Sequence, residues 1–275
     1  MPQHVVKRWL PALAASAAVP AVVALAGTGV AGASQPSVIY NAIPNRLPPN
    51  VPSLGFEATS TSEFGDQINL AGKARTLDAV TVTFSDWALH SGYPAMSAKG
   101  WKWPITINVY SAIAGTPNKV GKKLASVTQA IAIPWRPPAS AACVGSAAGS
   151  TAWKARDGQC YNGIAFNATF DLSRLRVKLP NQVIIAVAYN TADYGAVPTH
   201  APGPYNSLNV GVPANDVVSV GSDVNVDNVF WNTSYGPFYA DGGAGGVGIL
   251  REDTGWTPNG TVAFAVTTTG PTKHR

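Results

Sequence analysis

From Gly55 onward the apolar residues of this chain recur at every second position, and no stretch keeps a helical period for longer than two turns. In "AVTVTFSDW" Val80, Val82 and Phe84 alternate with Thr81, Thr83 and Ser85. "PITINVY" sets Ile105, Ile107 and Val109 against Thr106, Asn108 and Tyr110, and "VTQAIAI" sets Val127, Gln129, Ile131 and Ile133 against small residues. "IAFNATFDL" (164–172) and the late "TVAFAV" (261–266) behave alike. Successive side chains of a strand point to opposite faces, so each of these is a strand buried on one face. "QVIIAVAY" (182–189) is apolar on both phases and fits a central strand covered on both sides. With many strands and no helices to cover a sheet, the stable solution is sheet on sheet. The expected fold is therefore all-β, a single antiparallel β-sandwich of jelly-roll type over 55–269.

The ends of the chain read differently. Lys7 and Arg8 precede an apolar, Ala-rich run from Trp9 to Val30, and Ala31-Gly32-Ala33 supplies small residues at the pattern signal peptidase accepts. This is the grammar of a secretory signal peptide over 1–33, cleaved between Ala33 and Ser34. Pro11, Pro20 and the weakly apolar alanines disfavour a membrane span. The expected location is secreted and extracellular, with no stable membrane anchor after cleavage. Residues 34–54 hold many prolines, which cannot donate to a sheet, and predict an extended leader lying over the domain. Residues 270–275 read as a flexible tail.

Charge excludes one class of partner. Only 12% of residues are charged, and the formal net charge is +5. Two of the basic residues, Lys7 and Arg8, belong to the signal. The longest basic run after it is Lys122-Lys123, so nucleic acid is not an expected partner. "RLRVKLP" (174–180) alternates Arg174, Arg176 and Lys178 with Leu175, Val177 and Leu179 and predicts a strand with a solvated face. In an exported chain Cys143 and Cys160 are most simply a disulfide. Closing that loop contributes roughly 3 kcal/mol on a chain-entropy argument.

Candidate chemistry is sparse. "GFEATSTSEFGDQINLAG" brings Glu57, Glu63 and Asp66 close in sequence. Phe56, Ala58 and Ser60 predict one face of a strand, and "STSEFGDQ" a turn in which Gly65 gives backbone freedom. A glycosidase needs two carboxyls facing one another across a sugar, which this spacing does not demonstrate. "GSDVNVDNVFW" places Asp223, Asn225 and Asp227 like the first ligands of an EF-hand, but Asn228 stands where Gly is needed and Ser234 replaces the bidentate Glu. His90 and His200 lie in loops without a nucleophile elbow nearby. No cofactor, metal or catalytic residue is expected, and the chain is read as a non-enzyme.

Loops carry the aromatic residues. The long connections are 86–103, 134–163 (which holds both cysteines) and 191–206, with an irregular Gly-rich stretch at 231–248. Trp87, Trp101, Trp103, Trp135, Trp153, Tyr194, Tyr235 and Tyr239 lie in or beside them. Flat rings on loops of a rigid sandwich suit the apolar faces of sugars. These eight residues are the candidate ligand-binding set, and extracellular polysaccharide or cell-surface glycan is the candidate partner.

At "TSEFGDQINLAGKARTLDAVTVTFSDW", "ITINVYSA", "KLASVTQAIAIPWRP", "NGIAFNATFDLS" and "NQVIIAVAYNTADYG" the chain resembles a group of uncharacterised secreted bacterial proteins, similar in turn to the extracellular β-sandwich domains called choice-of-anchor domains. The resemblance covers most of 55–268 and implies an exported β-sandwich, with no activity and no catalytic residues to carry over. The C-terminal "AVTTTGPTKHR" shows no anchor of the kind the anchored members have. The expected function is a non-catalytic extracellular binding or adhesion module. Its alternatives are a structural or matrix protein, and a glycan-active hydrolase using Glu57, Glu63 or Asp66.

Overall fold

The computed structural model describes residues 36–113, 119–190, 208–214 and 217–269. The segment read as a signal peptide, its expected cleavage site, residues 270–275, Tyr194 and His200 lie outside the described residues. Five strands come first: β1 (Ser37–Asn41), β2 (Ser53–Gly55), β3 (Thr61–Asn69), β4 (Thr76–Asp86) and β5 (Trp101–Ala112). The next five are β6 (Val120–Ile133), β7 (Trp153–Lys154), β8 (Cys160–Tyr161), β9 (Ile164–Asp171) and β10 (Gln182–Ala188). After them come β11 (Leu208–Gly211), β12 (Ser222–Asp223), β13 (Asn228–Thr233), β14 (Arg251–Thr254) and β15 (Phe264–Thr269). Among the described residues there is no α-helix, only short 3-10 turns.

The chain is all-β, and its antiparallel sheets pack face to face as a β-sandwich. In the first sheet β4 is central. β15 pairs with its first half and β11 with its end, while β9 runs along its opposite edge. β1 extends this sheet beyond β15, and β2 beyond β11. The second sheet runs β14-β13-β3-β10-β5-β6, with β12 beside β3. Between the two sheets lie Phe56, Phe64, Phe84, Phe170 and Phe264, with the alternate valines and isoleucines of the sequence pattern. Each ring taken fully out of water contributes roughly 1.5–3 kcal/mol. β10 is apolar on both phases because both of its faces are covered. Val183, Ile185 and Val187 face the main core, and Ile184 and Ala186 belong to a second cluster with Tyr110 and Phe230. A single bridge between Lys119 and Arg251 joins the two ends of the second sheet, which curls round that cluster.

Three local expectations are corrected. The Pro-rich segment is part of the sandwich rather than a covering, for "SVIYN" pairs with β15 and sinks Tyr40 completely, and Ser53–Gly55 pairs with β11. Pro36 precedes the first strand and the other four prolines fall between the two, where no ladder donor is required. The strand and the turn around Glu57 are exchanged. Residues 56–60 turn, closed by Thr59 N–H to Gly55 O and Ser60 N–H to Glu57 O, and "TSEFGDQIN" is the strand. Lastly, "RLRVKLP" starts as a 3-10 turn, with Arg176 in the left-handed region at φ 50° and Leu175 exposed. Its alternation therefore never forms a continuous face.

Candidate functional site

The carboxylates of the "GFEATSTSEFGDQ" stretch do not meet in one groove. Glu57 is buried in the 56–60 turn. Asp66 lies on the phase of Phe64 and Ile68 and points into the sandwich, whereas Glu63 lies on the other phase of β3. Burial raises the Glu63 acid although the Asn108 amide (2.8 Å) and the Tyr110 hydroxyl (2.9 Å) donate to it. Burial, then repulsion from Asp223, pushes Asp66 well above the usual carboxylate range. Asp223, Asn225 and Asp227 are spent on hydrogen bonds within the fold: the Asn225 N–H donates to Asp223, the Asp227 N–H to Asn225, the Thr261 hydroxyl to Asp223, and the Gly255 and Thr257 amides to Asp227. The first two close local turns, and the others tie the segment to residues 255–261.

The aromatic set divides by exposure. Trp101 and Tyr239, each 2% exposed, are covered by protein and cannot stack on a ligand. Trp101 packs face on against Trp135 and edge on against Trp103, with ring centres 6.1 and 6.0 Å apart. Tyr239 rivets the loop after β13. Its hydroxyl accepts from the Thr233 amide and lies within hydrogen-bond distance of the Trp231 and Ile249 carbonyls, and the Arg251 guanidinium covers its ring. Trp103 and Trp135 are half-buried, with their indole N–H groups spent on Asn190 O and Ser97 O. Trp87 and Tyr235 are exposed, and Trp153 is half-buried in a groove.

That groove is the best-formed candidate site. β7 and β8 make a small ribbon with Trp153 opposite Tyr161 and Lys154 opposite Cys160. Cys143 and Cys160 form a disulfide that ties the ribbon to the turn at Ala141–Cys143. Arg46, Leu47, Pro48 and Pro49 face the ribbon, and between them and Trp153, Ala155, Arg156 and Asp157 lies a cleft of about 560 Å³. The proline wall is fixed to the sandwich, since Ala165 N–H donates to Pro49 O and Ser85 Oγ to Asn50. The Trp153 indole donates to Gly163 O at 2.8 Å, and Trp87 closes over the same glycine, where a β-carbon would stand 2.5 Å from its Nε1. Both Asp157 oxygens are engaged, by the Gln159 amide at 2.9 Å and the Tyr161 hydroxyl at 2.7 Å. The Tyr161 bond first, then the amide, holds this acid below its usual range.

Beneath the loops lies a pair the sequence reasoning missed. Arg136 is buried and gathers three carbonyls, of Trp87, Thr151 and Pro137, thereby locking the 86–103 loop to the disulfide loop. Its buried neighbour Asp86, at the end of β4, is pushed up to about 7 by burial, against the pull of the Ala88 amide, the Trp101 indole, the Trp87 amide and Arg136. "WKARDGQCY", a charged cluster next to a cysteine in a charge-poor chain, was the available signal for the groove. Arg46 gave none, being brought there by the fold. No protein-family model matches the chain, and neither a curated protein nor a solved structure matches it.

The disulfide is expected to hold the ribbon wall in place. Converting Cys143 and Cys160 together to serine should cost roughly 3 kcal/mol in urea unfolding. An unchanged unfolding midpoint would show that the ribbon is held without it.

Proposed function

We propose that the protein is a non-catalytic extracellular binding or adhesion module that takes a polysaccharide segment into the Trp153 groove. The observation that carries this reading is a half-buried indole set between two anchored walls, one of prolines and one closed by a disulfide. A platform already in place loses little conformational freedom on binding, so its apolar contact with a sugar face is retained as affinity. The groove wall contains one carboxylate, Asp157, whereas glycoside hydrolysis by the usual route requires two. That favours binding over cleavage.

The test is retention of the full exported chain on a panel of soluble and insoluble polysaccharides. Trp153→Ala should weaken retention about tenfold or more. Tyr235→Ala, on the loop after β13 and outside the groove, should leave it unchanged. If Trp153→Ala is retained as the parent is, the groove is not the site.

A further inference from the structure

We infer that the ligand of this groove is an acidic polysaccharide, one whose repeating units carry carboxylate or sulfate groups. The inference rests on the groove being a glycan site, and it concerns the two guanidiniums at its walls. Arg46 comes from the proline wall and Arg156 from the ribbon, and both are exposed. Neither makes an ion pair or a side-chain hydrogen bond with any described residue; the one ion pair among those residues joins Arg251 to Asp241. Arg174 and Arg176 are also exposed and make no such bond with a described residue, but they lie outside the groove, whereas three arginines are committed to their own fold. Arg75 holds Leu70, Ala71, Ala74 and Asn181, Arg136 holds three carbonyls, and Arg251 holds Gly246, Glu252 and Asp241.

The charge balance of the cleft follows from this. Its lining has two arginines against one aspartate, and that aspartate is already turned toward Tyr161 and Gln159 of its own ribbon. A neutral sugar offers each guanidinium only uncharged hydroxyl oxygens and leaves both charges unbalanced. A carboxylate or sulfate gives each a pair of charged acceptor oxygens, which a guanidinium binds through two parallel N–H groups. Because the two cations stand on opposite walls with the indole in the lining, a chain lying along the cleft can present an acid group to each while a ring face rests on Trp153. The chain's small positive excess does not dictate this. The specificity is local.

The experiment compares the full exported chain on immobilised polygalacturonate and alginate (carboxylate), dextran sulfate and chondroitin sulfate (sulfate), xylan and mixed-linkage β-glucan (neutral), and double-stranded DNA. Binding to acidic glycans should exceed binding to neutral ones about tenfold at low salt and weaken towards physiological ionic strength. Retention on carboxylate or on sulfate glycans alone supports the inference and identifies the acid. Arg46→Gln with Arg156→Gln should remove the acidic preference without changing the melting temperature, because neither side chain has a partner to lose. Equal retention on neutral glycans, abolished by Trp153→Ala but untouched by the arginine pair, overturns the inference and leaves the binding-module reading standing. DNA retention equal to that on acidic glycans overturns it as well, by showing a general attraction to polyanions. Failure of every glycan overturns the binding reading itself.

Discussion

Gly65→Ala should lower the stability of this protein by about 3 kcal/mol or more, the upper end of what an extra methyl group costs in a packed interior. A β-carbon at position 65 would stand 2.1 Å from the Ile185 carbonyl oxygen and 2.6 Å from the Ala186 Cα. Both atoms are backbone of β10, so no side-chain rotation relieves the clash. The strands must separate, and the ladder from Gln182 opposite Asn69 to Ala188 opposite Glu63 runs through this point. β13 pairs along the other edge, with Phe230 opposite Gly65, so β3 cannot slide away without disturbing both neighbours. The close pass also brings Ala186 and Phe230 into the cluster round which the second sheet curls. Gly92→Ala is the matched control, since a β-carbon there meets nothing within 4 Å and the backbone is not left-handed. It should change stability by less than about 0.5 kcal/mol. Urea unfolding of both variants decides the matter: equal midpoints for Gly65→Ala and the parent would mean that β3 and β10 adjust freely.

The same glycine shows why the sequence was legible in some places and not in others. Alternation revealed β4, β5, β9 and β15, whose inward positions are apolar or small apart from Asp86 at the end of β4, and apolar residues on both phases revealed β10. β3 broke the rule twice. Asp66 occupies an inward position that alternation assigns to a hydrophobe, and Gly65 serves close approach rather than a turn. "EFGDQ" therefore carries the composition of a turn on the backbone of a strand. "RLRVKLP" was the opposite case, with the alternation of a strand on a chain that turns at Arg176. Prolines hid β1 and β2, since their density is read over a window wider than either strand. For the site, ring chemistry pointed to the loops, but which rings are exposed depends on neighbours distant in sequence. Trp101 is covered by Trp103 and Trp135, while Trp153 opens onto a wall from residues 46–49. Pairings of that kind are decided by sheet order, which period-two patterning does not specify.

Stability should fall as pH rises from about 4 to about 7, against the usual expectation that acid weakens a folded protein. Asp86 is the cause that can be isolated by substitution. Its carboxyl is fully buried and is pushed up to about 7, whereas in an unfolded chain it titrates near 3.8. Between those values the folded protein binds a proton that the unfolded chain has released, so stability decreases with pH across the window and is flat on either side of it. A displacement of this size corresponds to roughly 4 kcal/mol. Glu63, Asp66 and Asp223 are raised by burial too and act in the same direction. Asp86→Asn imitates the protonated form permanently. It keeps the shape of the buried side chain, and Arg136 retains the carbonyls of Trp87, Thr151 and Pro137. The variant should match the parent near pH 4 and exceed it at pH 8, leaving a shallower slope from the other three acids. Urea midpoints measured from pH 4 to pH 8 test this directly. Parallel curves for variant and parent would mean that Asp86 is ionised in the folded protein throughout, with Arg136 and the surrounding N–H groups compensating its burial in full.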